Sequence, residues 1–266
     1  MAIDRDQLRI SPLEEMTIRW ETIGKNRYPL IIIDNFYRNP EYVNQLVHSL
    51  DFADPDGGHT HAFATLAHST TEIYEFIWEQ YACKWGGTGL RATIDLWEFY
   101  RSLPPGSGLL TRREDPHSDW GCLLAGLVYL TPDHCCRGGT AFYRHRQTGA
   151  EEKLPPRKWL IRTNVHPSVL QQLNAYNVYR SFKESSIQDY RAFLDAIPSK
   201  TQGNQFHLTA SNEVWEQTKL VEMKFNRLIV YPGFVLHKAI YEEDWFDGDV
   251  TERRLTQNFF LEFPTS

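Results

Sequence analysis

The sequence lacks several features that would assign a partner or a compartment directly. It has no run of lysine or arginine, and its net charge is −6, whereas nucleic-acid binding normally requires a basic face. No apolar run approaches the ~18 residues that cross a membrane, and the polar N-terminus predicts no signal peptide. The four cysteines have no framework spacing, which predicts reduced thiols in a cytoplasmic protein. We therefore expect neither nucleic acid nor a membrane as a partner.

The chain also has no internal repeat and no low-complexity segment. Its 266 residues predict a single domain with an insertion, and a hydrophobic fraction of 41% is enough for a large core. We expect residues 1–90 to form an N-terminal strand and supporting helices. Residues 91–146 and 219–266 should form a β core, and residues 147–218 a helical insertion that could serve as a lid.

The hydrophobic pattern changes from helical to strand-like along the chain. Tyr28–Phe36 predicts a buried strand, Asn39-Pro40 opens a helix, Asp54–His61 predicts a loop and Thr71–Trp85 a second helix. The later predicted strands are Thr93–Tyr100, Leu123–Leu130, Thr140–Arg144, Lys219–Phe225, Leu228–Tyr231, Val235–Ala239 and Leu255–Phe263. This order predicts a mainly β protein with helices (α+β), built as an antiparallel sandwich or barrel.

The clearest chemical signal is the pair His117 and Asp119. Residues two apart on a strand project from the same face. His237, which follows an apolar strand and a Tyr-Pro-Gly turn, is the candidate third member. Two histidines and one carboxylate can hold a metal from one side and leave positions open for chemistry. The alternative for each histidine is a polar residue at a strand edge that contacts water.

Two other groups compete as metal sites. His59-Thr60-His61, with His68, has no carboxylate or cysteine partner at useful spacing, so we expect solvated histidines in a loop that could border the substrate. His134-Cys135-Cys136 would suit a soft metal. Because Gly138-Gly139 follows it closely, we expect a hairpin loop instead.

Several motifs occur in the order typical of one enzyme family. They are Tyr100, the Gly106-Ser107-Gly108 turn, His117 with Asp119, the strand end at Tyr129, the Gly138-Gly139 turn with Phe142, His237 and the Arg253-Arg254 strand. In this order the chain resembles the 2-oxoglutarate/iron(II)-dependent dioxygenase superfamily, in its prolyl-4-hydroxylase-like branch and in a bacterial subfamily without an implied substrate. The resemblance covers less than half of the chain. It implies a double-stranded β-helix, which is a jelly-roll or cupin-like barrel.

The resemblance also implies a cofactor set. His117, Asp119 and His237 would bind iron(II), 2-oxoglutarate would chelate it through its 2-oxo and C1-carboxylate oxygens, and dioxygen would take the last position. Turnover would release succinate and CO2. Related halogenases have a small residue in place of the carboxylate, so Asp119 favours hydroxylation, desaturation or ring closure.

The family's cosubstrate needs a cation for its distal carboxylate, and an arginine fork suits it. Arg254 with Thr256 two residues later matches the family pattern, and alternation on a strand would turn Arg253 the other way. Tyr129 resembles the family tyrosine that helps to hold the same carboxylate, and Tyr100 resembles one that lines the pocket. The alternative for both tyrosines is core packing.

The insertion is the expected source of substrate selectivity, although a purely structural role has equal weight. Its candidate substrate-facing residues are Tyr176, Tyr179, Arg180, Lys183, Arg191 and Trp215. They suit a small anionic or zwitterionic molecule, so we expect an amino-acid-like or natural-product substrate. The alternatives are a protein side-chain hydroxylase and a barrel that binds a metal or metabolite without turnover.

Overall fold

The computed structural model describes residues 3–53, 61–85, 96–102, 116–119, 122–147, 149–153, 208–240 and 249–261. The strands in these ranges are β1 (Thr17–Ile23), β2 (Tyr28–Asp34), β3 (His61–Leu66), β4 (Trp97–Ser102), β5 (Leu124–Tyr129), β6 (Gly139–His145), β7 (Trp215–Glu222), β8 (Arg227–Pro232), β9 (His237–Ile240) and β10 (Leu255–Leu261). The helices are α1 (Pro40–His48) and α2 (Thr71–Trp85), with short 3-10 helices at Arg5–Leu8, Leu13–Glu15 and Asp133–Cys135. No helix in these ranges is long and apolar enough to cross a membrane.

The strands form two antiparallel sheets. The large sheet has the order β1-β2-β8-β5-β10-β4-β3, and the small sheet has the order β7-β6-β9. After β4 the chain passes repeatedly between them, because β5, β8 and β10 lie in the large sheet and β6, β7 and β9 in the small one. The prediction of a mainly β fold with few helices is confirmed. Both sheets are open in the described part of the chain, so a closed barrel is not seen there.

The central strands of the large sheet are apolar throughout because both of their faces are covered. All residues of β2 and of β5 are buried. One face packs on the helices, where α1 contributes Val43, Leu46 and Val47 at helical spacing. Pro40 is at the start of α1, where its fixed φ suits the helix and its missing N–H costs no hydrogen bond within the helix. The Asn44 side chain donates to the Leu130 carbonyl at 2.7 Å and ties this helix to the end of β5.

The described part of residues 1–90 contains three strands rather than the one that was predicted. β1 pairs with β2 along its whole length, from Thr17 opposite Asp34 to Ile23 opposite Tyr28. β3 pairs with β4 and begins at His61, which the sequence pattern had assigned to a loop. Both strands lie at edges of the large sheet, where weak hydrophobic alternation is tolerated.

The chain around residue 150 belongs with the sheets rather than with a helical insertion. Glu152 pairs with Val235 just before β9. The buried Glu151 carboxylate accepts the backbone amides of Lys25 and Asn26 at 2.8 and 3.0 Å. This carboxylate therefore provides hydrogen-bond acceptors for the backbone amides of the turn between β1 and β2.

The strand Trp215–Glu222 also begins inside the predicted insertion 147–218, which corrects that boundary. Trp215 is 1% exposed, pairs with His145 and packs on its ring at 5.0 Å between centroids. It belongs to the core of the small sheet, so its predicted place among substrate-facing residues is wrong. The two predicted helices lie within residues 154–207, outside the described residues, and the lid stays a prediction.

One buried carboxylate ties three strands together. Arg227 donates to both oxygens of Asp34, at 2.6 and 3.0 Å, and Arg19 and Lys224 lie within 3.4 Å of the same carboxylate. Burial acts to raise the pKa of Asp34, but the hydrogen bond and charge of Arg227, with the other two cations, outweigh it and lower that pKa. The cluster therefore stabilises the packing of β1, β2 and β8 when Asp34 is ionised.

We expect Asp34→Asn to lower the free energy of unfolding at neutral pH by about 2–5 kcal/mol, since the Arg227 guanidinium loses its bidentate partner. The folded pKa of Asp34 is below the unfolded value of about 3.9. Its contribution is therefore fully present above that value and is lost as the pH falls through the folded pKa. Urea unfolding across a pH series should show the difference from wild type shrinking below about pH 4.

The matched control is Asp6→Asn. Asp6 pairs with Arg9 at 3.3 Å on the surface, with both side chains mostly exposed, so this change should alter stability little. The role of the cluster would be contradicted if Asp34→Asn lowered the free energy of unfolding no more than the control does. It would also be contradicted if that loss stayed constant down to acidic pH.

Candidate metal and anion site

Backbone pairing brings the two histidines together. The His117 amide donates to the His237 carbonyl at 2.9 Å, and the His237 amide donates back to the His117 carbonyl at 2.8 Å. Residues 116–119 thus extend the small sheet beyond β9. The two imidazole centroids are 4.5 Å apart. The pairing fixes two nitrogen ligands on one edge of the sheet.

Asp119 completes the cluster through a second backbone contact. Its amide donates to the Gly233 carbonyl at 2.7 Å, in the turn before β9, and its carbonyl accepts the Cys122 amide at 3.0 Å. The Asp119 Oδ2 atom lies 3.3 Å from His237 Nε2. One ligand atom from each of His117, Asp119 and His237 lies within 4.8 Å of the other two. That spacing fits three ligands of one metal ion.

The His237 ring is held in a defined tautomer. Its Nδ1 lies 2.9 Å from the Val235 carbonyl, which can only accept, so we assign the proton to Nδ1. Nε2 then offers its lone pair next to Asp119. Metal-bound histidines usually donate their second nitrogen to a carbonyl or carboxylate in this way. The ring also contacts Tyr231 and Phe142, with centroids 4.8 and 6.4 Å away.

The electrostatics of Asp119 favour a bound cation. Burial acts to raise the pKa of its carboxyl, but the charges of His237 and His117 and the hydrogen bond from His237 lower it overall. The carboxylate is therefore ionised at neutral pH. The Asp119 Oδ2 and His237 Nε2 atoms are 3.3 Å apart, so one divalent cation could bind both. Two imidazoles and one carboxylate are a donor set that suits first-row metals such as iron(II).

Gly233 allows the close approach of the Asp119 segment. A Cβ atom at this position would meet the carbonyl oxygens of Asp119 and Cys122 at 2.9 and 3.0 Å, and the Cys122 sulfur as well. A larger residue would push the ligand-bearing segment away from β9. The glycine of the Tyr-Pro-Gly turn is therefore part of the site, which the sequence pattern alone did not reveal.

The candidate anion-binding residues lie in one row of the large sheet. Thr256 pairs with Tyr129 on one side and with Tyr100 on the other, and directly opposite residues project from the same face. The Arg254 guanidinium lies 5.8 Å from the centroid of the Tyr129 ring. The structure therefore brings Arg254, Tyr129, Thr256 and Tyr100 together.

This row faces the small sheet and its metal-ligand cluster. The Tyr129 hydroxyl and the Thr140 hydroxyl are 2.7 Å apart and join the two sheets. Thr140 lies two residues before Phe142, which pairs with His237, so all three project from the same face of the small sheet. Burial raises the pKa of Tyr100, and the charges of Glu98 and Asp119 raise it further. The row and the cluster therefore share the space between the sheets.

Two buried polar atoms of the row have no partner among the described residues. Arg254 Nε and Thr256 Oγ1 are closed to solvent and make no hydrogen bond there. Arg254 is 8% exposed and Thr256 is fully buried. Arg253 Nε has no partner among the described residues either, so what sets Arg254 apart is its place beside Tyr129 and Thr256, where a donor without a partner suits a carboxylate.

Arg253 lies on the other side of the strand. It is half-buried, and its charge lowers the pKa of Arg101, which burial has already lowered. Arg101 pairs with Leu255, and Leu255 belongs to the apolar core under the helices. The two neighbouring arginines thus serve different faces of the large sheet.

The histidines of the rival loop do not form a metal cluster in the described part of the chain. His68 lies in the loop between β3 and α2, where it is half-buried and packs edge-on against Trp97, with centroids 4.7 Å apart. His61 begins β3, and His59 lies outside the described residues.

A model of a protein family described as a family of unknown function, DUF6445, matches residues 14–177 and 176–261. The chain belongs to this family. No curated protein gives a significant match to it.

Among solved structures, the DUF6445 chain is similar to the non-heme alpha-ketoglutarate-dependent carbocyclase SnoK from nogalamycin biosynthesis. The identity is 10%, the match covers 88% of this chain and 79% of SnoK, and the TM-score is 0.41. It is also similar to HygX from Streptomyces hygroscopicus with nickel and 2-oxoglutarate bound. There the identity is 11%, the coverage 91% and 83%, and the TM-score 0.36. Likeness at this level assigns no chemistry to this chain.

Proposed function

We propose that this protein is a non-heme iron(II), 2-oxoglutarate-dependent oxygenase. One observation carries the proposal: a two-histidine, one-carboxylate cluster and a buried arginine, whose Nε has no partner among the described residues, face the same space between two sheets. The first suits a redox-active divalent metal with free coordination positions, and the second suits a carboxylate. A cosubstrate that chelates a metal at one end and carries a carboxylate at the other would satisfy both.

The order of strands supports a double-stranded β-helix as the scaffold. β4 lies in the large sheet, and the 116–119 segment that follows pairs with the small sheet. β5 returns to the large sheet, β6 and β7 lie in the small sheet, and β8, β9 and β10 lie in the large, small and large sheets in turn. Eight segments divided between two facing sheets in this order, with only β6 and β7 following each other in one sheet, are the pattern of a jelly roll.

In the proposed site, His117, Asp119 and His237 hold iron(II). When bound there with 2-oxoglutarate and dioxygen, iron(II) would supply oxidising chemistry coupled to the release of succinate and CO2. Val235 holds the His237 ring in the tautomer that leaves Nε2 available. Asp119 contributes the negative charge that offsets the metal.

The remaining residues bind and orient the cosubstrate. Arg254 and Thr256 donate to the distal carboxylate, and Tyr129, held by Thr140, forms one wall beside the guanidinium. Tyr231 and Phe142 keep water away from the buried side of His237.

The exposed side of His117 is the proposed direction of substrate approach. The substrate is a small amino-acid-like or natural-product molecule, and the intact carboxylate ligand favours its hydroxylation. A protein side-chain hydroxylase is the alternative within the same chemistry. The complete ligand set together with Arg254 argues against the second alternative, a barrel that binds a metal or metabolite without turnover.

Succinate release from 2-oxoglutarate in the presence of iron(II) tests the function. We expect His117→Ala and His237→Ala each to abolish it, because two ligands bind iron far more weakly than three, while unfolding stays cooperative. Screening amino acids for increased succinate release would narrow the substrate. Full activity in either variant would overturn the ligand assignment.

The affinity for 2-oxoglutarate separates the two adjacent arginines. Arg254→Ala removes the proposed partner of the distal carboxylate of 2-oxoglutarate. Losing one member of such a buried charge pair costs roughly 2–5 kcal/mol of binding free energy, or about 30-fold to several-thousand-fold in affinity. Arg253→Ala is the matched control, and because Arg253 serves the other face it should change affinity little. Calorimetry with a redox-inert metal would measure both. A large loss of 2-oxoglutarate affinity only in Arg253→Ala would mean that the cosubstrate binds on the opposite face of the strand, which would contradict the assignment.

A further inference from the structure

Two loops lie side by side at one end of β5 and β10. The first, residues 131–138, connects β5 to β6, and the second, residues 249–254, leads into β10. The Leu255 amide donates to the Thr131 hydroxyl at 2.9 Å, and the Leu130 amide donates to the Leu255 carbonyl at the same distance. Side chains from the two loops are therefore held within reach of each other.

Three metal-ligating side chains converge between these loops. His134 and Cys135 come from the first loop and Glu252 from the second, and one ligand atom from each lies within 4.8 Å of the other two. His134 and Glu252 are exposed and Cys135 is half-buried, so a cation can reach the group from solvent. None of the three belongs to the proposed oxygenase site.

We propose that His134, Cys135 and Glu252 form a second metal site that binds a zinc-class divalent cation. Nitrogen, thiolate and carboxylate are all zinc ligands, and three protein ligands leave a fourth tetrahedral position for water. A thiolate makes magnesium or calcium a poor occupant. On binding, a protonated Cys135 thiol forms a sulfur–metal bond and releases its proton to solvent, with no change of oxidation state.

Cys136 is excluded from the site by its orientation. Its sulfur donates to the Thr131 carbonyl at 3.3 Å, within its own loop. From the sequence, a soft-metal site at His134-Cys135-Cys136 was an alternative to the preferred hairpin loop, and in the structure only Cys135 of the two cysteines lies with His134 and Glu252. Cys136 is therefore a matched control for Cys135.

The position of Glu252 links the second metal site to Arg254 of the proposed oxygenase site. Glu252 lies two residues before Arg254, so a cation shared with the first loop would hold the chain that leads to this arginine. If the proposed oxygenase function holds, occupancy of the second site would restrict the motion of the cosubstrate-binding residue. The metal site itself does not depend on that function.

Cobalt(II) titration of the reduced full-length protein tests the site, because a thiolate ligand gives cobalt an intense near-ultraviolet charge-transfer band. The oxygenase cluster contains no sulfur, so the band reports the second site alone. We expect the band in wild type and in Cys136→Ser, and its loss in Cys135→Ser. His134→Ala and Glu252→Gln should weaken cobalt binding at least about tenfold.

A second measurement needs no variant. Zinc should protect Cys135 of the wild-type protein from alkylation, as followed by peptide mass spectrometry, while the reactivity of Cys136 changes little. Absence of the band in reduced wild type, its persistence in Cys135→Ser, or its loss in Cys136→Ser would overturn the assignment. Failure to protect Cys135 would do so as well, even if a variant did not fold.

Discussion

The pair of backbone hydrogen bonds between His117 and His237 is the constraint on which the proposed active site depends. These residues are far apart in sequence and do not belong to one hairpin. Their pairing sets the distance between the two imidazoles and places Asp119, two residues after His117, against the turn at Gly233. An antiparallel pair is a rigid way to hold ligands, because side-chain direction follows from register alone. A slip of one residue would turn one histidine away from the cluster.

The second constraint is the arrangement of charge between the sheets. The cluster on the small sheet presents a carboxylate, and the row on the large sheet presents the Arg254 guanidinium with no acidic partner among the described residues. The hydroxyl contact of Tyr129 with Thr140 joins the two sheets next to that arginine. Polar groups that are closed to solvent and unpartnered are uncommon in native proteins. Other buried atoms, Arg253 Nε among them, also have no partner among the described residues, so the argument for an anion rests on the position of Arg254 and Thr256 on the face that carries Tyr129.

Strong local signals in the sequence predicted the helices and the central strands. Pro40 and the apolar spacing of the following residues gave α1, and the continuous apolar run of β5 gave a buried strand. β1 was missed because all but one of its residues are at least partly exposed, so its pattern is weak. The spacing of His117 and Asp119 indicated two ligands. The proximity of His237, the role of Thr140 and the approach of Glu252 to Cys135 depend on long-range register, which composition and spacing do not encode.

The most direct measurement of the central claim is an anaerobic titration with iron(II) and then 2-oxoglutarate, followed by visible absorption. Chelation of iron(II) by the 2-oxo acid produces a metal-to-ligand charge-transfer band that neither component gives alone. We predict that this band saturates at one 2-oxoglutarate per iron in the wild-type protein. We further predict that it needs much more 2-oxoglutarate when Arg254 is replaced. A protein that binds iron at the His117, Asp119 and His237 cluster but never develops the band would contradict the account.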